Sequence, residues 1–135
     1  GNERPYALVP VFTEHEGRFA ASLLRVLIDR AAASSNAPDL TDAQRAALDA
    51  LEEVAEDPTL YASIQLEAGD VLLLNNWTTF HRRTAFADDP DPARRRHLMR
   101  IWLSMPNSRA LDPRFAEHFG ATGAGAIRGG MQPRA

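Results

Sequence analysis

The sequence contains no cysteine, no lysine and no long apolar run. Without cysteine the chain has neither disulfide bonds nor thiolate chemistry, which suits a reducing compartment, and we expect a cytoplasmic protein. The apolar runs are far shorter than the roughly 20 residues that a membrane-spanning helix requires, so no membrane partner is expected. At 135 residues and 44% hydrophobic content, the chain has the size of a single globular domain, residues 1–135, with a real core.

All fifteen basic residues are arginine, and eighteen acidic residues give a net charge of −3. This balance provides no general attraction to nucleic acid, so no nucleic-acid partner is expected and the run Arg94 to Arg96 needs a local explanation. We interpret Arg94 and Arg95 as solvated loop residues. Their expected partners are the aspartates just before them, Asp88, Asp89 and Asp91.

Two segments have the apolar spacing of amphipathic helices. Between Gly17 and Ala33 the spacing is i, i+4, i+7 and i+8, at Phe19, Leu23, Val26 and Leu27. Thr41 followed by Gln44 predicts a capping box, and the second helix is expected to end at "EDP".

Five segments have strand or extended patterns, and one turn separates two of them. The segments are "YALVPVFT", "YASIQL", "VLLLNN", "TTFHRRTAF" and "RHLMRIWLS", and the turn is "EAGD" between the second and third. Near the C-terminus "DPRFAEHFG" predicts a short helix. The glycine-rich "GATGAGAIRGG" follows no strand, so it is not interpreted as a nucleotide-binding loop.

The segment "GDVLLLNNWTTFHRRTAF", the proline-rich acidic loop and "RRRHLMRIWLS" together resemble the C-terminal half of the taurine dioxygenase/TfdA-like oxygenases. These enzymes depend on iron(II) and use 2-oxoglutarate as cosubstrate. The resemblance extends over nearly the whole chain. It implies an α+β fold, namely part of a double-stranded β-helix, or jelly roll, with the two helices packed on the outer sheet.

The resemblance also implies a set of site residues. His81 matches the distal metal-binding histidine, and Arg96 matches the arginine that pairs with the far carboxylate of 2-oxoglutarate. Arg100 lies four residues later on the same strand face, where the family places an arginine near the substrate or the cosubstrate. Trp77 shares the strand parity of His81 and either lines the pocket or packs in the core. No catalytic residue is expected beyond the metal site.

One part of the family pattern is absent: the His-x-Asp or His-x-Glu motif that carries the other two metal ligands. The residues two positions after His15, His81, His97 and His118 are Gly17, Arg83, Met99 and Gly120. We therefore expect 1–135 to be the C-terminal part of a larger oxygenase domain, whose N-terminal half supplies those ligands. Alone it should be inactive, and its unpaired strand edges should favour homo-oligomers or aggregation.

The implied activity is oxidation of a C–H bond in a small, anionic molecule, with decarboxylation of 2-oxoglutarate to succinate. Two alternatives remain open: a noncatalytic jelly-roll module that binds a small molecule or a partner without a complete iron site, and a structural domain with no such site. The sequence does not identify the substrate, because specificity in such folds depends on loops.

Overall fold

The computed structural model describes residues 6–128, which fall into two compact units. We call Leu23–Asn75, with Tyr6 and Ala7, the helical unit, and Leu8–Ser22, with residues 76–128, the aromatic unit. No helix in this described range is long and apolar enough to cross a membrane. The elements in chain order are strands β1 (Phe12–His15) and β2 (Arg18–Ala21) and helices α1 (Arg25–Ala32), α2 (Asp42–Ala55) and α3 (Ala116–Phe119), with 3₁₀ turns at Pro92–Arg94 and Pro113–Phe115.

The start of α2 has the predicted capping box. The Thr41 hydroxyl accepts a hydrogen bond from the Gln44 backbone N–H at 3.2 Å, and the Gln44 side-chain oxygen accepts one from the Thr41 N–H at 2.9 Å. These two bonds satisfy backbone donors that would otherwise lack a partner in the first turn. The predicted second helix is confirmed, ending at Ala55 before "EDP".

Arg25, at the start of α1, holds the two helices of this unit together. Its guanidinium lies 2.9 Å from Asp29 one turn later, 2.8 Å from Asp49 and 3.1 Å from Glu52, both on α2. The hydrogen bonds to Asp29 and then to Asp49 raise the pKa of Arg25 above its ordinary value. The two helices of this unit are therefore joined by ion pairs.

The strands β1 and β2 form an antiparallel hairpin in which Phe12 lies opposite Ala21 and His15 opposite Arg18. The turn residues Glu16 and Gly17 both have positive φ, which suits a tight two-residue hairpin turn. The helix expected from Gly17 was therefore placed too early, since it begins only at Arg25.

That error has a physical cause. A short apolar run fits either period, and pairing with β1 decides the conformation of β2. The strand expected over 6–13 is also corrected, because β1 begins only at Phe12.

The core of the aromatic unit lies where the hairpin meets the C-terminal segment. Phe115 is fully buried, and Leu111 and Ala20 are nearly so, with Trp77 and Phe119 packed against them. The Trp77 ring centroid is 5.4 Å from that of Phe115 and 4.8 Å from that of Phe119. The short helix predicted for "DPRFAEHFG" is confirmed by the 3₁₀ turn and α3.

The region from Tyr61 to Ser104 contains the predicted turn but none of the predicted strands. In the turn, the Asp70 N–H donates to the Glu67 carbonyl at 3.2 Å, and Gly69 has a φ of 98°. Large apolar side chains before and after the turn are exposed, among them Ile64, Val71, Met99, Ile101 and Leu103.

The described residues therefore form one two-stranded sheet and do not show the expected double-stranded β-helix with helices on its outer sheet. Strands are stable only when other strands satisfy their backbone groups. Within residues 6–128 such pairing occurs in the β1–β2 hairpin and in one isolated bridge between Gly120 and Arg128.

Candidate functional site

His81 lies on a stretch that the hairpin anchors at two points. The Ala21 N–H of β2 donates to the Trp77 carbonyl at 2.8 Å, and the Phe80 ring lies 6.2 Å from Phe12 of β1. The side chain of His81 itself is exposed. Its imidazole is thus accessible at the surface of the aromatic unit, directly after an anchored backbone.

Arg96 lies close to the segment that follows His81. Its guanidinium carbon is 5.1 Å from the centroid of the Phe86 ring, and that of Arg83 is 4.9 Å from the same centroid. Two cation–π contacts with one ring therefore hold Arg96 near Arg83, which is two residues beyond His81. Arg100 is exposed, and the structure gives no contact that joins it to this group.

The charged side chains of the acidic loop between His81 and Arg96 contact other residues of the same loop. Arg94 Nε lies 3.4 Å from an Asp89 oxygen and 3.5 Å from an Asp91 oxygen, and Arg95 Nε donates to the Asp89 carbonyl at 3.2 Å. Asp91 also caps the 3₁₀ turn by accepting from the Ala93 N–H at 3.0 Å. The predicted pairing of Arg94 with loop aspartates is confirmed. Arg96 is therefore the first arginine of the run that forms no ion pair or hydrogen bond with this loop among the described residues.

Trp77 is half-buried and belongs to the aromatic cluster with Phe115 and Phe119. These contacts are those of a packing residue. Its role in substrate binding stays a prediction.

The described residues do not by themselves fit an iron(II) site. A facial triad needs two imidazoles and one carboxylate around one metal ion. Between residues 6 and 128, no group of three or more His, Asp or Glu side chains could hold a metal ion. His81 offers a single imidazole, so any triad that includes it needs further ligands.

Comparison with known proteins decides the family. The family described as "Taurine catabolism dioxygenase TauD, TfdA family" matches residues 1–102. This chain belongs to that family. The match includes His81, Arg96 and Arg100, and it implies a jelly-roll fold for the complete TauD/TfdA domain.

One curated relative is FR-33289 synthase from Streptomyces rubellomurinus, which is 32% identical over 111 residues. The alignment covers 80% of this chain and 32% of the relative, so the chain spans about a third of the length of that protein. No solved structure matches the chain. The TauD/TfdA resemblance read from the sequence is therefore confirmed at the level of the family.

Three features of the structure were not anticipated from the sequence. They are the ion-pair network of Arg25, the Asp112–Arg114 pair beside the aromatic core, and a cluster formed by Ser108, Arg109 and Arg128. The spacing of Arg25 and Asp29 at i and i+4 could have signalled the first. The cluster joins residues 19 positions apart in a loop, for which no local pattern exists.

Proposed function

We propose that this chain forms part of the site of an iron(II)- and 2-oxoglutarate-dependent dioxygenase that oxidises a C–H bond of a small, anionic molecule. In the overall reaction dioxygen supplies one oxygen atom to the substrate and one to 2-oxoglutarate, which becomes succinate and carbon dioxide. The observation that carries the proposal is the family match over residues 1–102, a range that includes His81, Arg96 and Arg100. The name of the relative, a synthase, supports an enzymatic role.

In this proposal His81 supplies one metal ligand, and the second imidazole and the carboxylate come from an N-terminal half outside these 135 residues. The incomplete donor set of residues 6–128 supports this division. An exposed imidazole on an anchored backbone also suits a ligand that completes its site with another part of a domain.

The proposed role of Arg96 is to bind the far carboxylate of 2-oxoglutarate. A guanidinium over an aromatic ring keeps its in-plane N–H donors available, so the contact with Phe86 orients Arg96 without consuming its hydrogen bonds. Charge-assisted bidentate pairing of this kind fixes both the position and the direction of a carboxylate. Arg100, exposed and of the same parity, is proposed to attract the anionic substrate.

A noncatalytic binding module is the second candidate. The absence of a metal-binding group within the described residues favours it if the natural protein contains no further ligands. Measuring the intact mass of the protein expressed from its gene, and its release of succinate from 2-oxoglutarate, separates the two. A protein of this length that binds 2-oxoglutarate without turnover would establish the module.

The sharpest test compares Arg96→Ala with Arg95→Ala in the intact gene product. Loss of the paired guanidinium of Arg96 should cost about 2–4 kcal/mol of cosubstrate binding, because a charged bidentate contact is truncated. That corresponds to roughly 30- to 1000-fold weaker use of 2-oxoglutarate. Oxygen uptake and succinate release are measured across a 2-oxoglutarate titration.

Arg95→Ala is the matched control, because the hydrogen bonds that its guanidinium donates within residues 6–128 go to carbonyls of its own loop, those of Asp89 and Pro90. It should leave the apparent affinity for 2-oxoglutarate within about twofold, as expected for an exposed loop side chain. An unchanged affinity in Arg96→Ala would remove the proposed role of that residue.

A further inference from the structure

The segment from Pro106 to Arg128 lies beyond residue 102, where the family match ends, and has its own architecture. Its two arms are joined by backbone hydrogen bonds, from the Leu111 N–H to the Thr122 carbonyl and from the Gly125 N–H to the Ser108 carbonyl, both 2.9 Å long. Gly125 has a φ of 69°, and a Cβ there would lie 2.7 Å from the Pro106 carbonyl oxygen. The loop therefore closes tightly where Ser108 begins its first arm.

Arg128, at the end of the second arm, reaches back across this loop. Its Nη2 donates to the Arg109 carbonyl at 2.6 Å, to the Thr122 carbonyl at 3.3 Å and also to the Gly123 carbonyl. One nitrogen thus contacts three carbonyl oxygens and positions the guanidinium beside the backbone of Arg109.

Three buried polar atoms beside this contact have no hydrogen-bond partner in the part of the chain that the structure describes. They are Ser108 Oγ, Arg109 Nη2 and Arg128 Nε. All three can donate a hydrogen bond. Ser108 and Arg109 are consecutive in the sequence, and Arg128 contacts the Arg109 carbonyl. Buried donors in native proteins almost always have an acceptor, so this group lacks one that its surroundings do not provide.

The charge of the cluster indicates what that acceptor is. Neither Arg109 nor Arg128 forms an ion pair within residues 6–128. Burial, and then the positive charge of Arg109, lower the pKa of Arg128. A water molecule could accept hydrogen bonds here but would leave two neighbouring cations unneutralised. An anion would both accept the hydrogen bonds and neutralise the positive charge.

We propose that Ser108, Arg109 and Arg128 form a binding site for a compact oxyanion, that is, a carboxylate or a phosphate group. The anion would accept hydrogen bonds from the three unpartnered donors and neutralise the guanidinium pair. Binding would lock the two arms of the loop together and stabilise the aromatic core that Leu111 and Phe115 form in the same segment. The proposal does not depend on the proposed oxygenase activity, since it concerns residues outside the family match.

The test uses the 135-residue chain and follows its thermal unfolding midpoint during titration with sodium acetate or inorganic phosphate. Sodium chloride holds the ionic strength constant throughout. We expect a saturable rise with one of the two oxyanions, and the one that acts identifies the carboxylate or the phosphate class. A rise no larger than that with chloride alone would overturn the proposal.

Variants assign the effect to the cluster. Arg109→Gln should weaken oxyanion binding by at least about tenfold, because it removes a charged donor and leaves the carbonyl contacts of Arg128 in place. Ser108→Ala is a milder change and should weaken oxyanion binding by about threefold, as expected for loss of one neutral hydrogen bond. This variant replaces Arg109→Gln in the test if Arg109→Gln does not fold. Unchanged binding in the folded variant would contradict the assignment.

Two arginine controls separate this site from other sources of anion binding. Arg45→Gln removes an exposed helix arginine of the helical unit and should leave the titration unchanged. Arg96→Ala removes the proposed 2-oxoglutarate contact and should also leave it unchanged. A loss of oxyanion binding in Arg96→Ala, with none in Arg109→Gln, would place the anion at Arg96 and refute the second site.

Discussion

Two stretches of the aromatic unit, residues 97–104 and 106–128, differ in how far their apolar side chains are buried. In the C-terminal segment Leu111 is 2% exposed and Phe115 is fully buried, whereas in the stretch before it Leu103 is 68% exposed and Met99 84%. The first stretch folds as turns and a short helix, its backbone hydrogen bonds lie within the segment itself, and its side chains reach the hairpin. The second has the alternating pattern of a strand and no partner strand within residues 6–128.

The difference shows which residues determine whether each element forms. A turn or a helix satisfies its backbone from its own neighbours in sequence, as Thr41 and Gln44 do at the start of α2. A strand satisfies half or more of its backbone through other strands, which the sequence of the strand does not contain. The exposed apolar residues near Val71 and Ile101 lie in segments with a strand pattern that no strand within residues 6–128 pairs with.

The largest expected effect tests the exposed stretch for function. His81→Ala in the intact gene product should reduce 2-oxoglutarate-dependent succinate release to background, because it removes the proposed metal ligand. The same change in the 135-residue chain should alter the free energy of unfolding by no more than about 0.5 kcal/mol, since the side chain is exposed.

His97→Ala is the matched control for His81→Ala. His97 lies in the same stretch, but its parity is opposite to that of Arg96 and Arg100, so full-length His97→Ala should keep its activity. If His97→Ala abolishes succinate release and His81→Ala does not, the assignment of the ligand is wrong.

The next effect compares one substitution in the two stretches. Leu111→Ala should lower the free energy of unfolding of the chain by about 2–5 kcal/mol, because it opens a cavity against Phe115 and Ala20. Leu103→Ala, which truncates an exposed leucine, should lower it by no more than about 0.5 kcal/mol. Urea unfolding followed by tryptophan fluorescence reports both, because Trp77 lies in the same cluster. Equal losses would show that the 97–104 stretch is buried in solution.

The sequence predicted best the elements whose determinants are local. The capping box of α2, the turn at Gly69 and the short helix after Pro113 all follow from residues within four positions of each other. It failed at β2, where an apolar run with helical spacing is held as a strand by its pairing with β1. It also failed for the strands after Tyr61, whose formation depends on residues that the described chain does not pair with them.

The candidate site shows the same division. Membership of the TauD/TfdA family could be read from a short ordered motif, and the match confirms it. The contact of Arg96 and Arg83 with Phe86 could not, because it depends on how the loop between them folds back. The cluster at Arg128 could not be predicted for a similar reason. The contacts of Arg128 with the carbonyls of Arg109, Thr122 and Gly123 exist only because the loop closes.

A smaller effect tests the locally determined region of the helical unit. Thr41→Ala should lower the free energy of unfolding by about 1 kcal/mol, because the Gln44 N–H loses its acceptor at the first turn of α2. Thr41→Ser keeps a hydroxyl at the cap and should restore most of that loss. Urea unfolding followed by circular dichroism at 222 nm measures both variants. A Thr41→Ser variant as unstable as Thr41→Ala would mean that the methyl group, and not the hydrogen bond, stabilises this end.

The smallest expected effect concerns charge beside the aromatic core. Asp112 accepts hydrogen bonds from the Arg114 backbone N–H at 2.9 Å and from its guanidinium at 2.9 and 2.6 Å. The side-chain hydrogen bond from Arg114 is the main cause that lowers the pKa of Asp112 to about 2, well below its ordinary value of 3.8. The ionised carboxylate is therefore favoured in the folded chain.

A carboxyl group whose folded pKa is lowered contributes stability that is fully present above its unfolded pKa and is lost as the pH falls through the folded value. For Asp112 this window runs from about pH 4 down to about pH 2. Asp112→Asn keeps an oxygen that can accept from the Arg114 N–H but removes the charge, so the loss of stability across the window should become shallower. Urea unfolding at closely spaced pH values measures the slope, with Asp39→Asn, an exposed loop aspartate, as the control for removing one negative charge. If Asp112→Asn and the unchanged chain lose stability in parallel from pH 4 to pH 2, the Asp112–Arg114 pair contributes nothing to the packed stretch, and its order depends on apolar burial alone.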